Sequence, residues 1–125
     1  GVRDPKIFNN LGNTFSNLGR DEDAETAYRV AIEFDPGYFR AYSNYGLLLA
    51  SQEKFDDAIA QYQLAIEASP SYAPAHNNLG DALRAQGKLD EAVSAYAEAL
   101  RVDPDFEEAS KNLDDVRNDL AKRSD

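Results

Sequence analysis

The chain contains no cysteine, methionine or tryptophan, and His76 is its single histidine. Without thiols there is no disulfide framework and no thiolate nucleophile, and a zinc site would have to use one imidazole and carboxylates. Long apolar runs are missing too. The longest membrane-like stretch, Leu47-Leu48-Leu49-Ala50, falls far short of the ~20 residues that span a bilayer. The N-terminus lacks the basic, apolar and cleavage regions of a signal peptide, so no direct membrane insertion is expected. Positive charge is scarce: 13 Lys and Arg face 23 Asp and Glu, for a net charge of −10. Binding to nucleic acid depends on cations that displace counterions from phosphates, so nucleic acid is not an expected partner. The absence of methionine at residue 1 is what a processed chain or a piece of a longer one would show. A soluble, cytoplasmic protein is the expectation.

What remains is ample for a folded core. Hydrophobic residues make up 42% of 125 positions and aromatics 10%, too many for an acidic disordered tail. The length suits one domain or a short repeat array. Sliding the sequence against itself favours the array, because residues recur at an offset of 34. Pro36, Pro70 and Pro104 are in phase, as are Gly12, Gly46 and Gly80. So are Ala24, Ala58 and Ala92; Tyr28, Tyr62 and Tyr96; Ala31, Ala65 and Ala99; and Asn10, Asn44 and Asn78. Such a pattern marks a repeated supersecondary unit.

Each unit reads as two helices. Phe55, Ala58, Ile59, Tyr62, Ala65 and Ile66 show the helical apolar spacing. The break between helices falls at Leu18-Gly19, Gln52-Glu53 and Gln86-Gly87, where glycine in two copies permits the left-handed conformation that closes a helix. Asp21, Asp56 and Asp90 suit the electropositive start of the second helix. Asp35-Pro36, Ser69-Pro70 and Asp103-Pro104 stop that helix, since proline has no amide hydrogen and restricts the residue before it. The in-phase glycines and alanines allow paired helices to approach closely, with the tyrosines filling the space beside them.

These residues resemble the tetratricopeptide-repeat signature of an aromatic, Leu-Gly, an aromatic, then Ala, a later aromatic and Pro. The first copy carries Phe8, Leu11, Gly12, Phe15, Ala24, Tyr28 and Pro36. The second carries Tyr42, Tyr45, Gly46, Leu49, Ala58, Tyr62 and Pro70, and the third His76, Leu79, Gly80, Leu83, Ala92, Tyr96 and Pro104. The resemblance implies an all-α, right-handed α-solenoid forming one domain over 1–125, with repeats at 5–38, 39–72 and 73–106. Residues 107–125 repeat only a first helix, with Leu113 in phase, Asp114 in place of the glycine and Arg117 in place of a large apolar residue. A capping helix with one wet face is the expectation there. No comparable cap precedes residue 5, so continuation on that side is expected.

The resemblance also implies that the first helices line a concave groove for a protein or peptide partner. The residues expected to face it are Lys6, Asn9, Asn10, Asn13 and Asn17; Arg40, Ser43, Asn44, Leu47 and Ser51; Asn77, Asn78, Asp81 and Arg84; and Lys111, Asn112 and Asp115. Asn10, Asn44, Asn78 and Asn112 would form a ladder. An asparagine amide donates and accepts, so it can pair with a peptide unit whatever the ligand's side chain. With first helices ~10 Å apart and ~3.3 Å per extended residue, one rung would address roughly every third ligand residue. The repeat domain of O-linked N-acetylglucosamine transferase is similar in lining its groove with asparagines in this phase.

A second resemblance works in the negative. Repeat co-chaperones that grip the C-terminal carboxylate of heat-shock chaperones use a clamp of cations and asparagines. Asn13 and Asn44 match two clamp positions, while Asn9, Pro74 and Asn78 stand at the three basic ones. The charge-assisted bonds to a terminal carboxylate are thereby lost. Lys6, Arg40 and Arg84 are left to orient a ligand. No enzyme is expected: His76 falls at an aromatic repeat position, and the acidic pairs Glu22-Asp23, Asp56-Asp57 and Asp90-Glu91 recur at helix starts. There is no Gly-rich phosphate loop or calcium-loop spacing, so neither cofactor nor metal is anticipated. The expectation is a non-catalytic adaptor. Its rivals are the substrate-targeting part of a larger enzyme and self-association through Tyr38, Phe39 and Tyr72 or the uncapped N-terminal face.

Overall fold

The computed structural model describes residues 4–123. Residues 1–3 and the last two positions of the expected cap lie outside the described residues. Seven helices follow in order: α1 (Pro5–Asn17), α2 (Asp21–Phe34), α3 (Phe39–Ser51), α4 (Phe55–Ala68), α5 (Ala73–Ala85), α6 (Leu89–Val102) and α7 (Glu107–Arg123). No strand occurs among the described residues.

Local chemistry sets the boundaries. Asp4 caps α1 by accepting the Lys6 amide at 2.9 Å, with Pro5 in the first turn. The second helix of each pair starts after Arg20, Lys54 or Lys88, none of which makes a side-chain cap bond. Instead Asp21, Glu22 and Asp23, then Asp56 and Asp57, then Asp90 and Glu91 fill the first turns and answer the positive end of the dipole. Within each pair the chain turns through a left-handed residue: Gly19 at φ 76°, Glu53 at 60° and Gly87 at 78°. Between pairs, Asp35 accepts the Gly37 amide at 3.0 Å and Asp103 the Asp105 amide at 3.2 Å. Both are turns in which a short carboxylate stands in for a backbone acceptor.

The glycine and tyrosine series explain one another. A methyl group at Gly12 or Gly80 would come within 2.5 Å of the Tyr28 or Tyr96 ring, and Gly46 faces Tyr62 in the same way. The rings of Tyr28, Tyr62 and Tyr96 are buried between helix backbones, and Ala24, Ala31, Ala58, Ala65, Ala92 and Ala99 are sealed beside them. A further periodic bond fixes the inter-pair turns. The Tyr42 hydroxyl donates to the Pro36 carbonyl at 2.7 Å, and His76 Nε2 donates to the Pro70 carbonyl at 2.8 Å. His76 therefore performs its tyrosine counterpart's structural task.

First helices touch in sequence, α1 on α3, α3 on α5 and α5 on α7, whereas α2, α4 and α6 pack on first helices and not on one another. The right-handed solenoid thus curves with its first helices on the inner wall. At its C-terminal end α7 buries Ala109, Leu113 and Val116. It is tied to α5 by Arg84–Asp119 at 2.8 Å and to the turn between α5 and α6 by Arg123 donating to the Gly87 carbonyl at 3.2 Å.

Candidate functional site

The inner wall presents the asparagine phase as a set of rungs, each fastened to the helix before it. Asn44 Nδ2 donates to Asn9 Oδ1 at 3.0 Å, Asn78 Nδ2 to Ser43 Oγ at 3.2 Å and Asn112 Nδ2 to Asn77 Oδ1 at 3.0 Å. Every rung reaches 35 residues back. The three donors are half-buried, while the acceptors Asn9, Ser43 and Asn77 are only 4%, 1% and 1% exposed. Asn10 starts the series as an exposed side chain. Asn9 and Asn77, expected on the groove surface, are thus anchors beneath it.

The remaining wall residues divide by what already holds them. Asn13 accepts the Tyr28 hydroxyl at 2.6 Å, and Asp81 accepts the Tyr96 hydroxyl at 2.5 Å and Asn112 Nδ2 at 3.4 Å. Arg84 is held by Asp119 through Nε and Nη2. The Arg40 guanidinium lies 5.1 and 5.5 Å from the Phe39 and Tyr72 ring centres, a cation–π arrangement. Lys111 pairs with Asp115 at 3.8 Å. Lys6 and Asn17 are exposed, and Leu47 is 47% exposed, the lone large apolar side chain among the expected wall residues. Asn13, Ser16, Asn17, Asn44, Leu47 and Ser51 surround a pocket of about 350 Å³ between α1 and α3.

Burial sets the protonation of this wall. The Tyr28 hydroxyl is pushed up to about 12 by desolvation, and Tyr96 is raised by desolvation and by its bond to Asp81. Desolvation also lifts the Asp81 carboxyl above its ordinary value, with Glu108 adding to the rise while Tyr96 and Arg84 oppose it. The tyrosines are therefore neutral donors at physiological pH.

On the opposite side a larger cleft, about 690 Å³, lies between α4 and α6, and sequence reasoning missed it. Its floor is Ile59, Leu79 and Leu83, with Asp56, Lys88, Glu91 and Glu98 among its lining. The signal was present in the repeat: Leu79 replaces Tyr45, and Gln63 replaces Arg29. In the preceding interval Arg29 donates to the Tyr45 hydroxyl at 3.2 Å. The aromatics proposed for self-association are largely engaged, since Phe39 and Tyr72 pack with centroids 4.7 Å apart and Tyr38 is half-buried. No group of three or more potential metal ligands occurs among the described residues.

Comparison with protein families settles the lineage of this arrangement. A model described as tetratricopeptide repeat matches residues 38–105, and another of the same description matches residues 5–38. The chain belongs to the tetratricopeptide-repeat family. Among solved tetratricopeptide-repeat structures, the first such domain of human RPAP3 is similar at a TM-score of 0.92 and 26% identity, covering 99% of this chain and 98% of that one. The first repeat domain of Spaghetti (RPAP3), bound to the HSP90 peptide SRMEEVD, gives 0.88 and 26% over 97% and 99% of the two chains. The second domain of human RPAP3, in complex with the HSP70 peptide SGPTIEEVD, gives 0.81 and 25% over 90% and 98%. Comparison with curated protein sequences gives no match.

Proposed function

We propose that this tetratricopeptide-repeat module is a non-catalytic adaptor that holds an extended peptide or partner segment in its concave groove. The observation that carries the reading is the form of the rungs. Asn44 and Asn78 each commit an N–H to the preceding first helix, leaving Oδ1 and the second N–H for a peptide main chain, while Asn112 spends its amide nitrogen on Asn77 and Asp81 and leaves Oδ1. The similar RPAP3 domains hold peptides, which supports the same use here. The ligand class differs, because Asn9 is buried against Asn44 and Asn78 is bonded to Ser43 where the chaperone-tail clamp has cations. Lys6 supplies the positive charge at the N-terminal end, while Arg40 and Arg84 act from within the contacts that hold them. Among the described residues no helix is long and apolar enough to cross a membrane, and a cytoplasmic setting is part of this proposal.

The test is a titration of the chain with a peptide selected from a displayed random library, following the side-chain amide signals by NMR. Movement of the Asn44 and Asn78 amides is expected. Shifts confined to the α4–α6 cleft around Leu79 would replace the groove by the outer face. A second reading, self-association, is favoured by the exposed Ile7, Leu11 and Leu18 on α1 and the turn after it, since Ala41, Tyr45 and Ala75 are buried in the equivalent layers. Light scattering over a concentration series gives a monomer mass if the adaptor reading holds alone.

A further inference from the structure

The three in-phase tyrosines are equally buried but unequally partnered. Tyr28 donates to Asn13 and Tyr96 to Asp81, each fifteen residues earlier on the groove wall. The corresponding residue for Tyr62 is Leu47, which cannot accept. Tyr62 is 1% exposed, and its hydroxyl finds no hydrogen-bond partner among the described residues. Its oxygen is not sealed, since the buried polar atoms without a partner among the described residues are Gln52 Oε1 and Gln86 Oε1; the hydroxyl meets solvent, and an acceptor brought by a ligand can reach it. The ring is clamped against Gly46, so the hydroxyl is directed as its two counterparts are, toward the inner wall.

We propose that the middle of the groove is a subsite in which a main-chain carbonyl of the ligand accepts the Tyr62 hydroxyl while a neighbouring aliphatic side chain of the ligand packs on Leu47. The inference rests on the peptide-groove reading and adds its specificity. The ligand group is an acceptor because the two partnered tyrosines both donate. It is uncharged because Asp81 lies close enough to act on Tyr62 electrostatically, which disfavours a carboxylate there. Desolvation and that same charge raise the Tyr62 hydroxyl well above its ordinary range, which keeps its proton in place. Leu47, 47% exposed, supplies an apolar contact on an otherwise polar wall. The ligand class is thus an extended peptide with an aliphatic residue at the position opposite the second repeat.

The experiment uses the library-selected peptide against four proteins: the wild type, Tyr62→Phe, Leu47→Asn and Tyr28→Phe. Loss of a single neutral hydrogen bond should weaken binding to Tyr62→Phe by about fivefold. Leu47→Asn gives Tyr62 the internal acceptor that Asn13 gives Tyr28 and removes the apolar contact, so it should weaken binding at least as much. Tyr28→Phe should stay within about twofold of wild type. Wild-type affinity in Tyr62→Phe, with the Asn44 and Asn78 amides still shifting, overturns the subsite and leaves the groove standing. Amides that do not move overturn the groove reading itself, and a selection that returns no binder overturns both.

Discussion

Asp81 stands where the first repeat has Asn13, and the two side chains accept the same tyrosine bond with different electrostatic consequences. Because burial raises the Asp81 carboxyl, the folded chain binds its proton more readily than the unfolded one. The charged form therefore costs stability at neutral pH, and that cost is removed as pH falls through the raised folded value toward the ordinary one. Asp81→Asn, which copies Asn13, should be more stable than wild type at pH 7, and the difference should shrink on acidification. Paired urea melts at several pH values check this; a gap that widens toward acid would refute it. At this scale the asparagine phase was legible in the sequence, but the partner of each amide was not. A pairing 35 residues back depends on the rotation of one helix against the next, which a one-dimensional spacing does not contain. The same reason hid the anchoring of Asn9 and Asn77.

Between the paired helices, the turn is built on one left-handed residue, and the second copy uses Glu53 where the others have glycine. A side chain in that conformation is strained by its Cβ, while glycine adopts it freely. Glu53→Gly should stabilise the chain by ~0.5–1 kcal/mol, the lower unfolded-state entropy of Glu offsetting part of the relief. A thermal melt is the measurement, and an unchanged or lowered midpoint would contradict the turn assignment. Ala58→Leu is expected to act in the opposite direction, lowering the midpoint by forcing ~1–3 kcal/mol of overpacking into a site with no exposed surface. Helix existence and the order of the pairs were readable from proline, glycine and the acidic first turns, because these signals are local. The missing caps at Arg20, Lys54 and Lys88 were not, since the acidic residues that follow perform the compensating work.

Over the whole molecule, the contact pattern makes the first helices the inner wall, and the charge on that wall decides which ligands suit it. Against a peptide such as SRMEEVD, which a similar domain holds, the proposed groove offers Asn9, Pro74 and Asn78 at the three basic clamp positions and no cation there. Any binding of that peptide should be insensitive to amidation of its C-terminus, as calorimetry can show. A loss of tenfold or more on amidation would mean that the carboxylate is gripped by cations elsewhere. That the first helices form the inner wall followed from the repeat, whereas the outer cleft arises from two substitutions, Leu79 for Tyr45 and Gln63 for Arg29, whose effect depends on the void between helices that do not touch.

The rungs have a mechanical consequence. Each one spans the gap between successive inner helices, so lengthening the superhelix would stretch Asn44–Asn9, Asn78–Ser43 and Asn112–Asn77 together. A strand bridging the same amides would act in parallel with these bonds and raise the elastic modulus of the array along its axis. Occupancy of the groove would then be felt as stiffness at both ends of the solenoid.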